Sequence, residues 1–419
     1  DPAGFVFGEG KDQNLVKCGS YKGTGTGTGP EINLGFEPQF LIVKNATSSN
    51  SWFMFDSMRG ITTGYNDFEL YADSNSNENS VGRLSLTPTG FRLKDNEAGG
   101  LNTSDTHVYI AFRRSDGYVG KPSEVATNVF DMLPSPPAGY PWYRPTEFPV
   151  DFSFSRDVTA AHNWDTGARI IQGRRLQADH SGAETSGTYN YYDYQDGWNP
   201  YTGSIAGHQA WMWKRCTGFD VVTDKGDGQT TKTIAHGLGV VPEMIWRKNR
   251  VNGVDNWQVY HIGLNGGTNP QLWRIYLDTN NSQSNDAFTW TNAPTATHFT
   301  VGGNGSVNRN TDEFVTMLFA SVEGISKCGY YNGSNSGQTI TTGFQPTFVI
   351  IKRTDDSGEW YVLDTKRGWV SGNDKVIKLD NNQSQFDYDM GAPTSTGFTL
   401  TNHDDWNNAG KTYIYYAHA

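Results

Sequence analysis

Short apolar runs recur along this chain between polar stretches rich in Asn, Ser, Asp and Gly. Phe40-Leu41-Ile42-Val43-Lys44, Trp52-Phe53-Met54-Phe55 and His107-Val108-Tyr109-Ile110-Ala111-Phe112 are three of them. Runs this short, bounded by turn residues, predict strands buried on both faces, although periodicity alone does not separate them from a buried helix. The flanking Gly and Pro decide for strand, because Pro is tolerated at a first-strand position that donates nothing to the ladder. No segment sustains an apolar period of 3.6, so little helix is expected. Strands spaced by turns over about 100 residues predict an all-β fold of two-sheet antiparallel β-sandwiches.

The runs repeat. Gly35-Phe36-Glu37-Pro38-Gln39-Phe40-Leu41-Ile42-Val43-Lys44 aligns with Gly343-Phe344-Gln345-Pro346-Thr347-Phe348-Val349-Ile350-Ile351-Lys352. At equal spacing Trp52 then matches Trp360, Asp56 matches Asp364 and Arg59-Gly60 matches Arg367-Gly368. A third copy keeps Pro242, Lys248 and Trp257, and its Ala293-Pro294-Thr295 resembles Ala392-Pro393-Thr394. Cys18, Cys216 and Cys328 each stand where one unit ends and the next begins. A fourth copy is the most divergent: it enters through the Pro-rich Leu133–Pro137, then keeps Phe152 to Arg156, Trp164 and Leu176-Gln177-Ala178-Asp179, the counterpart of Leu70-Tyr71-Ala72-Asp73. The units fall at 1–116 (with a lead-in strand), 117–215, 216–326 and 327–419. Four in tandem predict an elongated particle.

Composition narrows the class. Charged residues are 18% of the chain, and 22 Phe, 21 Tyr and 13 Trp accompany 48 Gly. Disorder goes with high charge and few aromatics, so a folded chain is expected. A net charge of −11 repels phosphate, which argues against nucleic acid as a partner. No apolar run is long enough to insert as a membrane helix. The chain opens without Met or a charged-then-apolar signal segment, and Asp1 reads as an internal point of a longer polypeptide. Three cysteines cannot pair completely and are not spaced for a metal cluster, so they read as reduced structural thiols.

The segments Ile234–Glu243, Asn256–His261, Ala293–Phe299 and the lead-in Gly8–Tyr21 resemble a repeat family of virion proteins of marine phages, especially cyanophages. The resemblance covers nearly the whole chain and is weakest over 117–160. It implies a concanavalin A-like (jelly-roll) sandwich in a tail fibre, spike or capsid appendage, that is, a virion location. It also implies other virion proteins as partners, a homo-oligomer such as a trimer, and attachment to a host-surface glycan.

Chemistry is sparse. Carbohydrate-cleaving sandwiches carry Glu-x-Asp-x-Glu on one strand face, and no such strand occurs here. No Gly-x-Ser-x-Gly elbow or phosphate loop is present, so no catalytic residue and no cofactor is assigned. Asp73-Ser74-Asn75-Ser76-Asn77-Glu78 alternates oxygen-bearing side chains as a calcium loop does, but lacks the sixth-position Gly, and no metal ligand is assigned. Asp56 with Arg59, and Asp364 with Arg367, read as a repeated ion pair locking a Gly turn. Tyr191, Tyr192, Tyr194 and Trp198 form the densest aromatic–polar cluster, and Trp406 is a further isolated ring; these could stack on sugars or pack between modules. The expected role is a non-enzymatic virion structural protein serving as spacer, assembly surface or host attachment. A lectin-like receptor binder and, remotely, a polysaccharide depolymerase are the alternatives.

Overall fold

The computed structural model describes residues 15–63, 66–94, 100–113, 125–134, 144–186, 189–201 and 207–419. The first half of the Gly8–Tyr21 lead-in (residues 8–14) and Ser135–Pro137 of the Pro-rich entry lie outside them.

In the first module the strands are β1 (Val16–Lys22), β2 (Glu31–Asn33), β3 (Pro38–Asn45), β4 (Phe53–Asp56), β5 (Asp67–Tyr71), β6 (Asn79–Val81), β7 (Leu84–Thr87), β8 (Gly90–Leu93) and β9 (Thr106–Arg113). They form a six-stranded sheet, β1-β9-β3-β4-β5-β6, and a three-stranded sheet, β2-β8-β7. All pairings are antiparallel. The same pair of sheets recurs three more times with the same order, including in the divergent second module. The six-stranded sheets span Val16–Arg113, Phe130–Trp213, Phe219–Phe319 and Ser326–His418. One α-helix, Gly305–Asn308, occurs among the described residues, with Asn304 accepting the Ser306 N–H at its start.

Each sandwich buries the inner face of its large sheet against its small one. In the fourth module Val349, Ile351, Tyr413 and Tyr415 meet Ile340, Phe398 and Leu400 there. The outer faces differ between modules, and that difference sets the architecture. The closing strand β9 alternates, with His107, Tyr109 and Ala111 buried and Val108, Ile110 and Phe112 exposed. Its counterparts Glu313–Phe319 and Thr412–His418 are buried at every residue after the first. Something covers the outer faces of the later modules, and it is the other modules.

The expectation of an elongated particle is therefore corrected. Modules two, three and four turn their large sheets toward one another and share a single aromatic core. Phe130 meets Phe348 at 5.3 Å between ring centres, Phe152 meets Phe219 at 5.7 Å, and Phe319 meets Tyr416 at 5.0 Å. These contacts join the second module to the fourth, the second to the third, and the third to the fourth. Beads on a string would leave such rings in water; closing a ring of three removes them at roughly 25 cal/mol per Å² of apolar surface. The first module docks outside this ring. Arg215 pairs with Glu37 (2.7 Å), Arg92 with Glu313 (2.7 Å), and Thr63 donates to Ile170 O (3.1 Å).

Candidate functional site

The ring is held by one device used three times. At the head of the fourth large-sheet strand stands a Trp: Trp164, Trp257 and Trp360 in modules two, three and four. Each indole N–H donates to a backbone carbonyl of a neighbouring module. Trp164 reaches Lys378 O, Trp360 reaches Tyr276 O and Trp257 reaches Gln177 O, each at 2.8 Å. The three acceptors are equivalent, each the last residue of its module's fifth large-sheet strand. The links run from module two to four, four to three and three to two, and so close on themselves.

Local structure aims the Trp. Its own backbone N–H is held by an Asp carboxylate just beyond the acceptor strand of its own module: Asp179 at 2.9 Å, Asp278 at 3.1 Å and Asp380 at 3.2 Å. Asp73 does the same for Trp52, at 3.2 Å. The candidate calcium loop is thus a turn whose first carboxylate is used in capping a strand. Among the described residues no cluster of His, Cys, Asp and Glu suited to a metal occurs. Burial pushes the Asp278 carboxyl up to about 7, and raises Asp179 and Asp380 too.

A second layer of links follows the same three-fold order. Glu184 N–H donates to Arg250 O (2.9 Å), Gln283 N–H to Thr354 O (2.7 Å) and Gln385 N–H to Val158 O (2.8 Å). A cation near the end of the central strand adds to it. Arg156 donates to the carbonyls of Asn381, Asn382 and Gln383, and Lys248 donates to Ser181 O. Desolvation lowers Lys248 to about 8, so the ammonium depends on these carbonyl partners.

The repeated ion pair is present in both copies. Arg59 Nε lies 2.6 Å from Asp56 Oδ2, and Arg367 Nε lies 2.6 Å from Asp364 Oδ2. The Asp364 pair is buried and also accepts the Trp211 indole N–H (3.1 Å), which ties the second module to the fourth.

The predicted glycan residues separate. Tyr192, Trp198 and Trp406 are buried and are corrected as sugar platforms, because both faces of each ring are spent on the core. Tyr192 bonds Ser153 Oγ (2.7 Å) and lies 6.0 Å from the Trp198 ring; Trp406 stacks on His403 at 3.8 Å. Tyr191 and Tyr194 are half-buried. Sequence reasoning missed an open groove of about 370 Å³ between the first and third modules. Glu31, Arg92, Asp224, Lys232 and His298 line it, and no aromatic ring other than His298 does. Cys18 is exposed, Cys216 half-buried and Cys328 buried, all unpaired; burial raises the Cys216 thiol to about 12 and the Cys328 thiol as well.

Among curated proteins, none matches this chain. The family described as a domain of unknown function (DUF7483) matches residues 5–115 and 199–419, leaving out most of the divergent second module. Those two stretches make up most of the chain, which therefore belongs to the DUF7483 family.

Proposed function

We propose that the chain is a non-enzymatic structural protein of a phage virion, a rigid body in a tail fibre, spike or capsid appendage built from concanavalin A-like sandwiches. The observation that carries the reading is the closed ring. Its strongest donors, the indoles of Trp164, Trp257 and Trp360 and the cations Arg156 and Lys248, are spent on backbone carbonyls of neighbouring modules. Groups so used fix geometry and face no substrate. The likeness of Ile234–Glu243 and Asn256–His261 to phage repeats supplies the virion setting. Antibodies to the purified chain should label intact particles in negative-stain micrographs; antigen confined to the unassembled fraction would refute it. Release of reducing ends from host polysaccharide would refute the non-enzymatic part.

A second reading, glycan attachment, is favoured by the groove between the first and third modules, whose charged and hydroxyl groups suit hydrogen bonds to sugar hydroxyls. Binding on an array of host polysaccharides that disappears in Lys232→Ala would support it.

A further inference from the structure

The first module carries the same linking device, and nothing in the described chain occupies it. Trp52 stands where Trp164, Trp257 and Trp360 stand, held by Asp73 as they are held by theirs. It is 41% exposed, against 0%, 0% and 1% for the other three. Tyr71, the last residue of β5, is the counterpart of the acceptors Gln177, Tyr276 and Lys378. The backbone partners of the second layer, Ala46 and Glu78 by position, are both exposed. The outer face of the large sheet is open too: Val16, Val108, Ile110 and Phe112 are between 37% and 47% exposed. Contacts between the first module and the ring run through Glu37, Thr63 and Arg92, away from that face.

The geometry points to a homotrimer of this chain, in which three first modules close the ring that modules two, three and four close within one chain. Trp52 of each copy donates to Tyr71 O of the next, and the Val16, Ile110 and Phe112 faces meet at the three-fold axis. The occupant is a second and third copy because the device is self-complementary only around a three-fold. The links within one chain run from module to module in one direction and close only after the third; first modules held in that same relative orientation leave a donor and an acceptor open as a pair, whereas three close the ring. An exposed apolar face on a sheet whose three homologous faces are all covered marks an interface. The inference stands whether or not the protein belongs to a virion.

Sedimentation velocity and multi-angle light scattering on the full chain test it. The expected mass is three times the 46.4 kDa of the chain. Trp52→Ala and Ile110→Glu should each weaken assembly at least tenfold while leaving the far-ultraviolet circular dichroism of the monomer unchanged. Phe288→Ser removes a still more exposed ring on the third module and should leave the trimer intact. A monomer at high concentration, or a dimer, would overturn the inference. So would a trimer indifferent to Trp52 and Ile110, or a face already occupied by the chain's own N-terminal segment, seen as a trimer that forms only after residues 1–14 are deleted.

Discussion

Trp257→Phe removes one link of the ring and little else. The local frame of Trp257 matches that of Trp52. Their backbone N–H groups bond Asp278 (3.1 Å) and Asp73 (3.2 Å), and their carbonyls accept from Leu277 (3.2 Å) and Ala72 (3.0 Å). The two indoles differ in surroundings: that of Trp257 is buried and reaches Gln177 O, while that of Trp52 is half in solvent. Losing the hydrogen bond costs about 1–2 kcal/mol. The space left by the smaller ring in a packed site costs about 1–2 more. Trp257→Phe should therefore destabilise the ring by roughly 2–4 kcal/mol. Trp52→Phe should change the isolated chain by less than about 0.5 kcal/mol. Urea unfolding followed by far-ultraviolet circular dichroism measures both, since fluorescence would confound loss of a Trp with unfolding. The chain is kept dilute so that self-association does not contribute. Equal costs for the two variants would refute the claim that Trp257 bonds across a module boundary. Shared burial further predicts one cooperative transition for modules two, three and four; three separable transitions would count against a common core.

Five further substitutions probe particular sites. An acid such as Asp278, raised by burial to about 7, keeps its proton in the folded state after the unfolded chain has released it, so its contribution falls as pH rises from about 4 to above 7. Asp278→Asn can still accept the Trp257 N–H and escapes that loss. Melts at pH 4.5 and 8 should show the variant gaining on the parent by about 1.5 kcal/mol, half the upper bound of about 3 kcal/mol over that window because solvent screens a partly exposed group. No gain would place Asp278 in a wetter site. Asp364→Ala strands the buried Arg367 guanidinium and the Trp211 indole and should cost about 3–5 kcal/mol. The homologous Asp56→Ala, in a half-exposed pair, should cost about 1 kcal/mol by denaturant titration. Gly391→Ala would put a methyl carbon 2.0 Å from Thr399 O at φ +119°, and should lower the melting temperature far more than Gly343→Ala, where φ is +93° and the space is open.

The modules were legible because their markers are side chains. Trp52, Trp164, Trp257 and Trp360 recur 14 or 15 residues after the Pro that leads each unit's central strand, and the Asp residues that hold them recur too. The ring was not legible, because its acceptors are backbone carbonyls. Gln177, Tyr276 and Lys378 share a position and no chemistry, so an alignment sees three unrelated residues where the fold sees one site. The aromatic cluster misled for a related reason. Tyr192 and Trp198 lie among exposed Asp and Gln residues in sequence, yet Tyr192 follows the strand Tyr189–Tyr191, Trp198 lies in the strand Gly197–Tyr201, and both rings are buried against Ser153 and each other.

One signal of the ring was present in the hydrophobic pattern itself. A sandwich strand with one face in water alternates apolar and polar residues. His107-Val108-Tyr109-Ile110-Ala111-Phe112 does not: the inward His107, Tyr109 and Ala111 are no more apolar than the outward Val108, Ile110 and Phe112. In Glu313–Phe319 and Thr412–His418 the same two-sided pattern is accounted for by the shared core. In β9 no described residue of the same chain accounts for it. Leaving three large apolar residues in water carries an ordinary cost, and the proposed trimer removes it by burying this second face. The open Trp52 stands at a position that links every other module to a neighbour, and together with this face it is the ground for the proposed trimer.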